Sequence, residues 1–209
     1  NAFNQSNAAL LTYTVGGDPN KETSLEIFRE IAQSGVDIIE CGLGHGANIG
    51  DGGAIQDGTY RALSNGIKTD DVFDIIKTLR DEFDTNVIIM TYQNKIMSYG
   101  EDSFLSKCVE SKVAGIICVD WPWPLNLNFA AKCKNNNIDF IQLLCPTTNE
   151  ERLKLILNDA HDVVYYISML STTGQKLKVS PSEIKDRFNL IKTIAPVSYT
   201  HLTLPTNSL

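Results

Sequence analysis

No run of apolar residues in this chain approaches the roughly 20 that a membrane-spanning helix needs. The polar opening, NAFNQSN, has none of the charged and apolar blocks of a secretory leader. Both absences predict a soluble, cytoplasmic protein. Basic clusters are missing too, and a net charge of -7 disfavours any broad surface for nucleic acid. The five cysteines, at 41, 108, 118, 133 and 145, are odd in number and without paired spacing, so they fit neither a disulfide framework nor a zinc site. They read as reduced, buried thiols packing as small hydrophobes. No second His or Cys stands at ligand spacing from His45, and no metal centre is expected. The first apolar run is followed by VGGDPN rather than by the G-x-G-x-x-G turn of a dinucleotide site. The glycines at 42, 44 and 46 come after the second run and open no immediate helix.

What is present is a repeated unit. At 209 residues and 43% hydrophobic, the chain can bury a full core as one domain. Short runs rich in Val, Ile, Leu and Tyr recur at 8–15, 36–39, 86–92, 114–119, 138–144 and 163–168, and each predicts a buried strand. Between them lie amphipathic stretches, SLEIFREIAQSG, TDDVFDIIKTLRDEF, EDSFLSKCVESK and NEERLKLILNDA, with apolar residues three or four apart. Helix starts are marked by Asp18-Pro19-Asn20, by Thr69 with Asp70 and Asp71, and by Thr148 with Glu151. Alternating strands and helices mean a parallel sheet, closed as a barrel or left open and doubly wound. Polar residues recur where successive strands end: Glu40, Tyr92 with Asn94, Asp120, then Ser168 with Thr172, Thr173 and Gly174. In a barrel these would converge on one mouth, which favours that closure.

The second strand, VDII, runs into ECGLGHGANIGDGGAIQ. Glu40 stands at the strand's C-terminal edge, where parallel α/β proteins bind ligands. Asp51 follows on a glycine-rich segment that makes a poor helix or strand and reads as a loop. Two acids on one loop suggest a site. A solvated strand-end carboxylate at Glu40, and a turn residue before Gly52 at Asp51, are the plainer readings.

Six segments, LTYTVGGDP, GVDIIECG with DGGAIQ, MTYQNKIMSYG, VDWPWP, LLCPTTNEERL and YYISMLSTTG, resemble in order and spacing the α subunit of tryptophan synthase, from about Ala9 to about Ile194. The resemblance implies an α/β fold of the (β/α)8 TIM-barrel type, here with about six βα units. It implies a lyase of tryptophan biosynthesis that cleaves indole-3-glycerol phosphate to indole and glyceraldehyde 3-phosphate. This subunit would carry no cofactor and would pass indole to a β subunit holding pyridoxal phosphate, in an α2β2 heterotetramer. Carried over residue by residue, Glu40 is the acid–base group and Asp51 the carboxylate beside the indole nitrogen. Tyr13, Met90, Ile117 and Tyr165 line the indole pocket, although inward strand residues would fill a barrel regardless. Thr173 and Gly174 belong to the loop that meets the acid and the phosphate. His45, Asn94, Asp120, Trp121 and Trp123 face the β subunit; for the two Trp residues internal packing is an equal reading.

This chain departs from the family pattern in places. Gly44, His45, Gly46, Ala47 and Asn48 replace a proline, aromatic, serine, aspartate, proline run, which makes that loop more flexible and puts partner docking in question. The family's arginine after Ser168 is Met169, and a glycine position holds Ser171. The closing APVSYTHLTLPTNSL lacks the glycine-rich strand ends that would hold the substrate phosphate, so domain 1–194 is expected to be an incomplete barrel and 195–209 a foreign tail. Such a piece is expected to be inactive alone. Another phosphosugar barrel epimerase or isomerase remains an alternative, though it would not need the Glu40 and Asp51 pair with YYISMLSTTG. A non-catalytic partner that activates a β subunit is the other.

Overall fold

The apolar runs rich in Val, Ile and Tyr form strands, and the amphipathic runs between them form helices. The computed structural model describes residues 9–160, 163–167, 181–194 and 198–201. In chain order the elements are β1 (Leu11–Val15), α1 (Lys21–Gln33), β2 (Ile38–Gly42), α2 (Gly53–Ser64), α3 (Thr69–Glu82), β3 (Asn86–Thr91), α4 (Gln93–Tyr99) and α5 (Glu101–Glu110). There follow β4 (Gly115–Cys118), α6 (Leu127–Asn135), β5 (Asp139–Phe140), β6 (Gln142–Leu144), α7 (Glu150–Asp159), β7 (Val163–Tyr166), α8 (Pro181–Ile194) and β8 (Ser198–His201).

Every strand pair is parallel, in the spatial orders β1-β2-β3-β4-β5 and β6-β7-β8. The predicted strand over 138–144 is two short ones. Its first half pairs with β4, where Gly115 faces Asp139 and the Ile141 N–H reaches the Ile116 carbonyl at 2.9 Å. Its second half turns to β7, with Leu143 opposite Tyr165. The chain itself therefore joins two sheets that, among the described residues, share no ladder. β8 lies within 195–209, the segment that reads as foreign, and runs beside β7 with Ser198 opposite Val163.

Period two along each strand sorts side chains to two faces. Ile39, Cys41, Val87, Ile89, Ile116 and Cys118 point outward into a cluster with Phe28 of α1, Phe73 and Ile76 of α3, Phe104 of α5 and Phe129 of α6. Leu144, Val164 and Tyr166 do the same with Leu153, Ile156 and Leu157 of α7 and Ile191 of α8. Ile38, Ile88, Ile117, Ile141 and Tyr165 instead meet one another, with no helical residue among them. Helices thus cover one face of the sheet while the strands' other face closes on a lumen, as barrel staves do. Full burial of each such Phe or Ile stabilises the fold by about 1.5–3 kcal/mol.

Four of the five cysteines are buried, as small hydrophobes would be, and Cys145 is half-buried. Asn20 caps α1 by accepting the Thr23 N–H at 2.9 Å. The other two marked starts shift by one residue. Thr69 is the first residue of α3 rather than its cap, and Asp71 accepts the Lys68 N–H at 2.9 Å. Asn149 caps α7, accepting the Arg152 N–H at 2.8 Å, while the Thr148 hydroxyl turns back to the Cys145 N–H at 3.2 Å.

Candidate active site

Parallel pairing places Tyr13 of β1, Glu40 of β2 and Ile88 of β3 at one level of the lumen, with Gly42, Met90 and Ile117 a level above. Gly42 is small for a reason. A Cβ there would lie 2.2 Å from the Tyr13 hydroxyl, so glycine leaves the room in which that ring stands beside Glu40. Glu40 is 4% exposed and, among the described residues, takes no hydrogen bond through its carboxyl group. Asp51 arrives from the rim. The loop after β2 folds over the strand ends before α2 begins at Gly53, and Asp51 is 4% exposed as a result. What reads in sequence as a turn acid is a buried one.

Tyr92, 2% exposed at the end of β3, holds that acid in place. Its hydroxyl donates to Asp51 Oδ1 at 3.0 Å and accepts the Gly50 N–H at 3.1 Å. Gln56 Nε2 donates to the Asp51 carbonyl at 2.9 Å. The His45 ring lies 5.7 Å from that of Tyr92, so the loop's one aromatic side chain packs on the residue that holds its acid.

Burial, and secondarily the nearby Asp51 charge, push Glu40 up to about 7. Burial also raises Asp51, and the Asn48 amide and the Tyr92 hydroxyl offset only part of that rise. Asn48 lies close to Asp51, although its Nδ2 makes no well-formed hydrogen bond. Tyr13 and Tyr165 are raised by burial first and then by the carboxylates, Asp51 and Glu40 for Tyr13 and Glu40 for Tyr165. Both acids thus stand above their ordinary values, Glu40 close to neutrality and Asp51 held by the Tyr92 hydroxyl.

Tyr13, Met90, Ile117 and Tyr165 gather with Glu40 on the lumen side, Ile117 and Tyr165 being 2% and 7% exposed. Thr173 and Gly174 lie outside the described residues. Asn94 is exposed on α4. Asp120 is exposed but tied, its Oδ1 accepting the Gln93 N–H at 2.6 Å at the start of that helix. Trp121 takes the packing role: it is 7% exposed, its ring 5.1 Å from Phe129 and its Nε1–H on the Leu125 carbonyl. Trp123 is half-buried, donating to Asp159 at 2.8 Å. Tyr92 was visible in sequence only as a polar strand end. Nothing in the chain's text pairs it with an acid 41 positions earlier.

Parallel strands curved about a lumen, helices outside them and two buried acids at the strands' C-terminal ends define an α/β protein of the (β/α)-barrel class. The family model for the tryptophan synthase alpha chain matches residues 1–199. The chain belongs to that family. It is 52% identical over 187 residues to the tryptophan synthase alpha chain of Pelagibacter ubique, covering 89% of this chain and 70% of the relative. The Petrotoga mobilis alpha chain is 37% identical over 170 residues, covering 81% and 66%. Among solved structures, a chain of the tryptophan synthase α2β2 complex of Pyrococcus furiosus superposes with a TM-score of 0.82 at 32% identity, covering 93% of this chain and 77% of that one.

Proposed function

We propose that this protein is the lyase subunit that cleaves indole-3-glycerol phosphate to indole and glyceraldehyde 3-phosphate, a retro-aldol step in tryptophan biosynthesis. The observation that carries the reading is the pairing of Glu40, poised at about 7, with a hydrogen-bonded Asp51 across one lumen. Breaking the carbon–carbon bond requires a proton to reach indole C3 and another to leave the side-chain hydroxyl. A single carboxyl with a pKa near the working pH serves both transfers. Protonation of C3 places positive charge on the ring nitrogen, and Asp51, fixed by Tyr92, stabilises it. Tyr13, Met90, Ile117 and Tyr165 offer a flat heterocycle an aromatic and apolar wall. The subunit itself needs no cofactor for these steps.

The Pyrococcus relative assembles as α2β2, and we infer a β-subunit partner for this chain too. Exposed Asn94 and the loop carrying His45 lie on the rim that such a partner would meet, with Asp120 at the start of Asn94's helix and Trp123 further round, after β4. Among the described residues no helix is long and apolar enough to cross a membrane. The test is indole release from indole-3-glycerol phosphate, with and without a β subunit, by the parent protein, Glu40→Gln and Asp51→Asn. Loss of indole release in Glu40→Gln with retained stimulation of the β subunit is expected. Indole release that survives Glu40→Gln overturns the assignment.

A further inference from the structure

Where the fifth stave bends away from β4, a cavity of about 210 Å³ opens beside the strand ends, and none of Glu40, Asp51, Tyr13 or Tyr92 lines it. Its floor is Phe140, Gln142 and Leu144, all buried. The polar groups of that floor satisfy one another: the Gln142 and Asn126 amides exchange hydrogen bonds of 3.0 and 3.2 Å, and Asn126 also donates to the Trp121 carbonyl at 2.8 Å. An occupant's inner part therefore finds apolar walls and no unmet donor or acceptor from that pair, and an apolar body suits it.

The mouth is different. Pro122 and Arg152 are exposed there and Trp123 is half-buried. The Arg152 guanidinium lies 5.4 Å over the Trp123 ring and donates to the Trp123 carbonyl. Arg187 anchors on the carbonyl of Thr148, another lining residue. Among the described residues neither arginine has a carboxylate within ion-pair distance, and the nearby Glu150 is held by Lys154 at 2.7 Å. In a chain of net charge -7, two guanidinium groups held by carbonyls and stacking, with no carboxylate within ion-pair distance among the described residues, are preorganised for an anion from outside.

We propose that this side cavity is a second binding site, separate from the Glu40 and Asp51 centre, for a small carboxylate with an aryl or branched apolar body. The body enters between Trp121, Phe140 and Leu144, and the carboxylate stays at the mouth on Arg152. The volume suits one aromatic ring with a short side chain rather than a drug-sized ligand.

The chain's two Trp residues, 121 and 123, both line the cavity, so their fluorescence reports on it. The probe is 3-phenylpropionate, with the neutral 3-phenylpropionamide as its isostere. Saturable quenching by the carboxylate is expected, weakened roughly tenfold in Arg152→Gln and by added salt. Ile156→Phe, which extends a ring into the cavity from α7, should weaken it as well, with circular dichroism checking the fold. Asp51→Asn should leave it unchanged. Equal quenching by acid and amide, indifference to Arg152→Gln, or an affinity altered in either direction by Asp51→Asn would each overturn the proposal, the last by placing the probe in the lumen.

Discussion

Replacing Glu40 by Gln should make the protein more stable at neutral pH while removing its acid–base group. Burial, with Asp51 behind it, raises the Glu40 pKa from 4.5 to about 7. Between those values the folded protein holds a proton that the unfolded chain has released, so stability falls as pH rises through this window and is lowest, for this group, above pH 7. One proton held by the folded chain alone costs roughly 1.4 kcal/mol for each pH unit crossed, so from about pH 5 to about pH 8 the loss comes to about 2.5 kcal/mol. Gln cannot ionise and escapes it. Urea unfolding of both proteins at pH 5 and pH 8 isolates the effect, because titrating groups that do not interact with Glu40 cancel in the difference between variant and parent. The Gln protein should gain about 2.5 kcal/mol on the parent between the two pH values, worth roughly 5–10 °C in Tm for a chain of this size. In an Asp51→Asn background most of that gain should persist, since burial is the larger cause and the Asp51 charge the smaller. A stability difference between parent and variant that does not change with pH would refute the buried, proton-sharing carboxyl on which the mechanism rests.

Tyr92→Phe keeps the ring against His45 but removes the hydroxyl that holds both Asp51 and the Gly50 N–H. With one oxygen of a buried carboxylate released, the turnover number should fall roughly tenfold and stability by about 1–2 kcal/mol; unchanged steady-state kinetics would show that Asp51 needs no such anchor. Gly42→Ala puts a methyl group 2.2 Å from the Tyr13 hydroxyl and 2.8 Å from its ring, and the tyrosine must leave the side of Glu40. Overpacking of this kind costs about 1–3 kcal/mol, and a thermal melt equal to the parent's would contradict the crowding.

Strand and helix periods carried most of the fold in readable form, because buried parallel strands and amphipathic helices leave opposite hydrophobic rhythms. The helix at Gly53–Ser64 was hidden, because two glycines open it and Gly58 sits inside it. That last glycine is used for contact: a Cβ there would come within 2.9 Å of Asp18 Oδ2. The break at Ile141 was hidden as well, since inward and outward alternation runs unbroken through Phe140, Ile141 and Gln142 while the ladder partner changes. Glu40 could be placed at a strand's rim from sequence. The depth of Asp51 could not, since Asp-Gly chemistry looks the same on a surface turn as beneath a folded loop. Tyr92 and the side cavity depend on contacts between distant segments, and no local pattern encodes those.

The change of ladder partner at Ile141 gives the molecule a seam. Backbone hydrogen bonds tie β1 through β5 into one plate and β6 through β8 into another. Besides the covalent bend and the contacts of Trp123 and Asn126 with α7 and β6, the plates meet through lumen side chains, where Ile38, Ile88 and Ile117 of the first touch Ile141 at the seam and Tyr165 of the second. Tyr165 is also the residue against which a ring beside Glu40 would press. Anything that fills the lumen therefore presses on side chains from both plates at once.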